Sequence, residues 1–269
     1  MALLSFGAAL RESPAFDEIA HIGAGLSYVQ KFDLRMNPEH PPLPKALSGL
    51  ALTLRGTHAD YAGPAWRYSK DFFPAFLGEW SFGESVITRW NNSATTLAWA
   101  RFPMLLLTLA LGWVIFIYAR RLGGIWGGLI CLTAYISTPV FLVFGPLVLT
   151  DIPIAFFSVL TLWAFANLWR SPERAGSWIF AASLAGAFLS KFSAAILLLA
   201  ILAAGLTTRS TAHRQANVLG HAVRCQGHAA SSLTSSRNHT GSCEADARAV
   251  CASAKTMSPQ PCACEISSE

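Results

Sequence analysis

From residue 102 to residue 206 the chain is dominated by four apolar stretches, about 102–118, 125–145, 152–169 and 178–206. Each is close to the ~20 residues a helix needs to cross the hydrocarbon core of a bilayer, where every backbone N–H and C=O must find its partner inside the segment. That constraint selects helices over any open sheet, and predicts an all-α, multi-pass transmembrane bundle. The last stretch is interrupted by Ser190-Lys191, so it holds two helices only if they are short or tilted, with Lys191 at the turn. Composition agrees: 13% of residues are charged, against about a quarter in soluble domains. The net charge of +5 is carried by basic residues clustered at the ends of apolar runs, where orientation signals are expected, and nucleic acid is excluded as a partner.

Lys and Arg accumulate on the cytoplasmic side of membrane proteins. Arg120-Arg121, Arg170 with Arg174, and Arg209 with Arg214 alternate correctly for that face, which leaves Asp17, Glu18, Arg101, Asp151 and Lys191 on the other. The division that follows is a stub of a first span over 1–10, an external loop over 11–101 rich in Trp, Pro and charge, transmembrane helices over 102–208, and a tail over 209–269. The tail contains no Phe, Trp or Tyr and cannot bury enough apolar surface to fold alone. Its abrupt start predicts a disordered or frameshift-like segment and a truncated chain. Five of the six cysteines, Cys225, Cys243, Cys251, Cys262 and Cys264, lie there, while Cys131 sits in an apolar run, so no disulfide framework follows. His239, Cys243, Cys262 and Cys264 match no standard zinc spacing. Gly123-Gly124 and Gly127-Gly128 predict close helix packing.

Ser13-Pro14 is a helix start, with the hydroxyl as cap and proline in the first turn, for a helix running to about Lys31. At 100° per residue, Ile19, Ile22, Leu26 and Val29 share one side, and Asp17, Glu18, His21, Gly25 and Tyr28 another. The Asp17-Glu18 pair reads either as a first turn favoured by the helix dipole or as catalytic carboxylates. Asn37-Pro38-Glu39-His40-Pro41-Pro42-Leu43-Pro44-Lys45 has four prolines in nine residues, and so presents Glu39 and His40 on a stiff strut with little entropy left to lose; a structural turn is the other reading. Pro44 opens an apolar helix to about Leu54. Asp151 at a span boundary and Lys191 inside an apolar run are functional candidates because ionisable groups at membrane depth need a cavity or a partner. Snorkelling competes for Lys191, and an interfacial anchor for Arg101.

Taken in order, Asp17-Glu18, the proline element, Arg120-Arg121-Leu122-Gly123-Gly124, Leu149-Thr150-Asp151 and Gly186-Ala187-Phe188-Leu189-Ser190-Lys191 resemble the N-terminal half of the GT-C glycosyltransferases of the protein mannosyltransferase and aminoarabinose transferase type, over roughly residues 11–206. The resemblance implies an inverting membrane enzyme that passes a sugar from a polyprenyl-phosphate carrier to a protein or lipid hydroxyl on the periplasmic or extracellular face. It implies Asp17 as general base, with Glu18 orienting acceptor or base. It places His40, with Lys191 and Arg101, at the donor phosphate, where fixed cations offset the charge on the leaving group. Asp151 and Glu39 are positioning or metal-holding residues, a divalent cation being the cofactor to consider. Two other readings stay open: a transporter or binder of polyprenyl lipids without chemistry, and an inactive fragment.

Overall fold

The protein is described by a computed structural model covering residues 2–69, 72–170 and 174–207. The expectations for 209–269, including the cysteine-rich tail and the Arg209/Arg214 pair, lie outside these residues. The chain divides into two units, Met1–Ile201 and Leu202–Glu269. The first contains α1 (Ala2–Arg11), α2 (Phe16–Lys31), α3 (Leu43–Arg55), α4 (Pro64–Ser69), α5 (Phe72–Glu84) with a π-helical turn at Ser85–Arg89, α6 (Ser93–Ser137), α7 (Pro139–Val143), α8 (Asp151–Arg170) and α9 (Arg174–Ser190). An apolar helix, Ala194–Thr207, closes the described chain. There is no strand among the described residues. The fold is that of an all-α membrane protein, with α6 and Asp151–Trp169 of α8 long and apolar enough to cross a bilayer. Both keep most of their apolar surface outward: Trp113, Trp126 and Ile130 of α6 and Leu162 and Trp169 of α8 are exposed, which suits lipid rather than water.

Local chemistry sets the helix boundaries, in places differently from expectation. Helix α2 begins at Phe16, not at Ser13, because the cap comes from within: Glu18 Oε2 accepts the Ala15 N–H at 3.1 Å, half of a capping box. Asn92 caps α6 by accepting the Thr95 N–H at 3.1 Å, so α6 starts at Ser93 and its first turns pack with α2, α3 and α5. Thr96, Leu97, Ala100 and Met104 are buried there, the last three in one apolar core with Ile22 and Leu26 of α2, Leu52 of α3, and Phe82 of α5.

Helix α6 breaks at Gly123 and Gly124, the latter at φ 67°, a left-handed conformation that glycine adopts without the Cβ penalty. The second arm then folds back on the first. Tyr135 Oη donates to the Thr108 carbonyl at 2.9 Å, and Gly128 packs against Phe116 and Arg120. The first glycine pair is therefore a turn, and Gly128 in the second makes the close packing. Helix α9 ends at Ser190 and the next begins at Ala194, with Lys191 between them as the sequence expects.

Helix α2 is not a one-sided surface helix. Residues 20–28 are all buried, because two glycines let neighbours close on both sides. A Cβ on Gly25 would overlap the Lys45 carbonyl of α3, and one on Gly49 would overlap the Gly25 carbonyl; Gly23 meets Gly83 of α5 in the same way. We expect Gly49→Ala to destabilise the protein by about 1–3 kcal/mol through overpacking, despite the ~1 kcal/mol alanine gives a free helix. Gly7→Ala, with nothing within 4 Å of the new methyl, serves as control. Thermal unfolding in detergent reads both, and equal midpoints would contradict the close crossing.

Candidate functional site

One end of the fold gathers nearly every charged side chain singled out in the sequence. At its centre Arg101 of α6, 1% exposed, meets Glu18 of α2, 0% exposed. Arg101 Nε donates to Glu18 Oε1 at 2.8 Å and Nη2 to Oε2 at 2.7 Å. The remaining N–H groups reach the carbonyls of Ala9 (2.6 Å), Glu12 (3.0 Å) and Ser13 (3.3 Å). Glu18 also accepts the backbone N–H groups of Ala15 and of Val148, each at 3.1 Å. All five guanidinium donors and all four carboxylate lone-pair sites are thus engaged. Arg101, expected at the donor phosphate, faces Glu18 instead. Glu18, expected to orient acceptor or base, is held by Arg101 and two backbone amides.

Asp17 points elsewhere. One residue along a helix is a rotation of about 100°, and this turn leaves Asp17 exposed on the wall of a cavity of about 200 Å³ lined by Phe16, Asp17, Ala20, His21, Asn37, Glu39, His40 and Trp80. Three expected residues, Asp17, Glu39 and His40, therefore share one pocket. Phe16 stacks on Trp80 with ring centroids 4.8 Å apart, and Trp80 Nε1 donates to the Phe16 carbonyl at 2.8 Å, which gives the pocket an aromatic side.

His21, which periodicity places only on the polar face of α2, connects this pocket to the bundle. Its Nδ1 lies 2.8 Å from the Val148 carbonyl; a carbonyl can only accept, so Nδ1 carries the proton and Nε2 is the free acceptor. Burial is the main cause that pulls its pKa down to about 4, with Lys45 and His40 acting in the same direction, so the ring is neutral near pH 7. Its edge meets the His40 ring at 5.5 Å.

Behind the pocket, Lys45 of α3 is completely buried and donates to the Asn37 carbonyl (2.5 Å), Asn37 Oδ1 (3.0 Å) and the His40 carbonyl (2.7 Å). Asn37 Nδ2 donates to Glu79 Oε1 at 3.2 Å. Burial raises the Glu79 pKa to about 7, the hydrogen bond from Asn37 opposing it. Local periodicity carries no signal for Glu79 or Trp80, because what matters is their place in the tertiary fold. Lys45 was legible as the last residue of the proline element, but not as its anchor.

Asp151 and Lys191 pair with each other, Nζ to Oδ1 at 2.7 Å, with the side chains 66% and 34% exposed. They sit at the same end as Asp17, since Val148, three residues before Asp151, binds both Glu18 and His21. At the opposite end Arg121 donates to Asn167 Oδ1 at 3.2 Å and its guanidinium lies 5.0 Å from the Trp163 ring. From Arg101 to Arg121 the helix rises about 30 Å, the thickness of a hydrocarbon core. No three His, Cys, Asp or Glu side chains converge as metal ligands among the described residues, and Asp151 has taken a basic partner in Lys191.

These features define an all-α membrane protein with a polar pocket at one end of its apolar helices. Residues 93–224 match the family model of the dolichyl-phosphate-mannose-protein mannosyltransferases, so over that span the chain is similar to a GT-C type, mannosyltransferase-like domain. The family is one of membrane glycosyltransferases that use a polyprenyl-phosphate sugar donor. The matched span includes Arg101, Asp151 and Lys191, whereas the pocket residues 16–80 precede it. Neither the curated proteins nor the solved structures offer a match.

Removing one partner of a buried ion pair leaves the other charge uncompensated, typically at a cost of ~3–5 kcal/mol. We expect Glu18→Gln and Arg101→Met each to lower stability by that order, and the double variant to lose much less than their sum. Additive losses in denaturant titrations would show that the two side chains do not depend on each other.

Proposed function

We propose that the pocket transfers a sugar from a polyprenyl-phosphate carrier to a protein or lipid hydroxyl, with Asp17 as the general base. The observation that carries this reading is the meeting of Asp17 from α2 with Glu39 and His40 from the proline segment around one cavity. In the step, the acceptor oxygen attacks the anomeric carbon from the face opposite the phosphate and the configuration inverts. The bond from that carbon to the phosphate oxygen breaks, its electron pair leaves with the phosphate, and the acceptor proton passes to the Asp17 carboxylate. His40 hydrogen-bonds the phosphate, and Lys191 supplies a cation at the same end, held by Asp151. Glu39 orients the sugar. The completely engaged Arg101 and Glu18 act indirectly, by fixing the start of α2 and therefore the direction of Asp17.

A general base contributes about 10²–10⁴-fold to rate. In membranes carrying the full chain and given radiolabelled polyprenyl-phosphate sugar, Asp17→Asn should lose transfer by that factor while retaining donor binding. Unchanged turnover would overturn the assignment of the base. Donor binding without any product from the unsubstituted chain would favour a lipid binder instead.

The pocket end is assigned to the non-cytoplasmic face, supported by Arg120 and Arg121 at the far end of a bilayer-length helix. The apolar helices would then cross the membrane more than once. In a cysteine-free background, Ser13→Cys should react with an impermeant maleimide on intact cells, and Leu122→Cys only after permeabilisation. The reverse pattern would invert the assignment.

A further inference from the structure

The proline segment is stiff, but stiffness alone does not say where it stands. Its position is set by Lys45, whose three donors all go to backbone or side-chain oxygens of Asn37 and to the His40 carbonyl. The attachments therefore bracket Glu39 and include the backbone of His40. Tyr28 of α2 reinforces the same point: its hydroxyl donates to the carbonyls of Met36 (2.5 Å) and Asn37 (3.4 Å), and its ring lies 5.2 Å from the Lys45 ammonium. Asn37 itself is held at φ 53°, a left-handed conformation that asparagine tolerates but that needs surrounding contacts to persist.

We infer that Lys45 is a positioning residue: by fastening the backbone at Asn37 and His40 it sets where the Glu39 and His40 side chains stand in the pocket, and so controls binding of the phosphate-bearing donor. The second half of this statement rests on the reading of the pocket as the donor site; the first half does not.

The charged and titratable groups around the ammonium are Glu39 on the segment, Glu79 on α5, and His21 and Tyr28 on α2. Burial pulls the Lys45 pKa down to about 8, against the raising influence of Glu39 and Glu79. Because the shift is downward, overall stability is not lost on deprotonation; the cost of burying the charge is relieved as pH rises through that value. The local attachment behaves differently. An ammonium has three N–H donors and a neutral amine two, so above pH 8 one of the three bonds to Asn37 and His40 must be given up.

The test uses the full chain in detergent and a Glu-specific protease, with cleavage of the Glu39–His40 bond followed by mass spectrometry. Lys45→Met, checked for helicity by circular dichroism, should be cut about tenfold or more faster than the unsubstituted chain at pH 7, as expected for losing bonds to a charged donor. In the unsubstituted chain the rate should rise between pH 7 and 9 relative to a free peptide spanning residues 35–47. That profile decides the matter alone if the variant does not fold. Equal cleavage rates together with a flat pH profile would overturn the clamp. In transfer assays Lys45→Met should raise the donor KM several-fold more than it lowers kcat. Faster cleavage with an unchanged donor KM would leave the clamp standing and remove the donor-site reading of the pocket.

Discussion

The ion pair between Glu18 and Arg101 is the constraint on which the rest of this structure depends. Two charges withdrawn from water at the edge of an apolar bundle are tolerated only if every donor and acceptor they carry is satisfied. Meeting that requirement draws in the backbone of Ala9, Glu12, Ser13, Ala15 and Val148. One electrostatic need thus ties together the end of α1, the start of α2, the N-terminal part of α6 and the segment before α8. Asp17 gains a fixed direction because its neighbour in sequence cannot move.

The second organising device is steric. Gly25 with Gly49 and Gly23 with Gly83 allow α3 and α5 to approach α2 until backbone meets backbone. Helix α2 is consequently enclosed along residues 20–28, and polar side chains there must find internal partners. His21 finds the Val148 carbonyl, and Tyr28 finds Met36 and Asn37. The pocket is built on a rigid element rather than on a loop alone, which favours a site that must hold reacting groups in a narrow geometry.

The family match covers residues 93–224, while the cavity is lined by residues from Phe16 to Trp80. Arg101 and Val148 link the two regions through hydrogen bonds, beside the apolar packing of Leu97, Ala100 and Met104. Through them the apolar helices position the polar layer, and the Asp151–Lys191 pair comes to stand at the same end as Asp17. An apolar helical surface and a polar pocket are thereby set side by side.

Much of this was readable from residue order. Apolar runs near bilayer length force helices, and the sorting of Arg120-Arg121 away from Asp17 and Asp151 follows from charge alone, since these are properties of contiguous segments; that Gly123-Gly124 makes a turn rather than a close helix contact is decided by the tertiary fold. The proline element likewise announced a stiff carrier for Glu39 and His40. What the sequence could not divide was Asp17 from Glu18, or Arg101 from Lys191: like residues with like neighbours, whose roles differ only because one of each is buried among partners distant in the chain. Burial, hydrogen-bond saturation and the anchoring of Asn37 by Lys45 and Glu79 arise from contacts 8 to 130 residues apart. Local periodicity holds no record of such contacts, so only the tertiary structure decides which charge faces the pocket and which one holds the pocket in place.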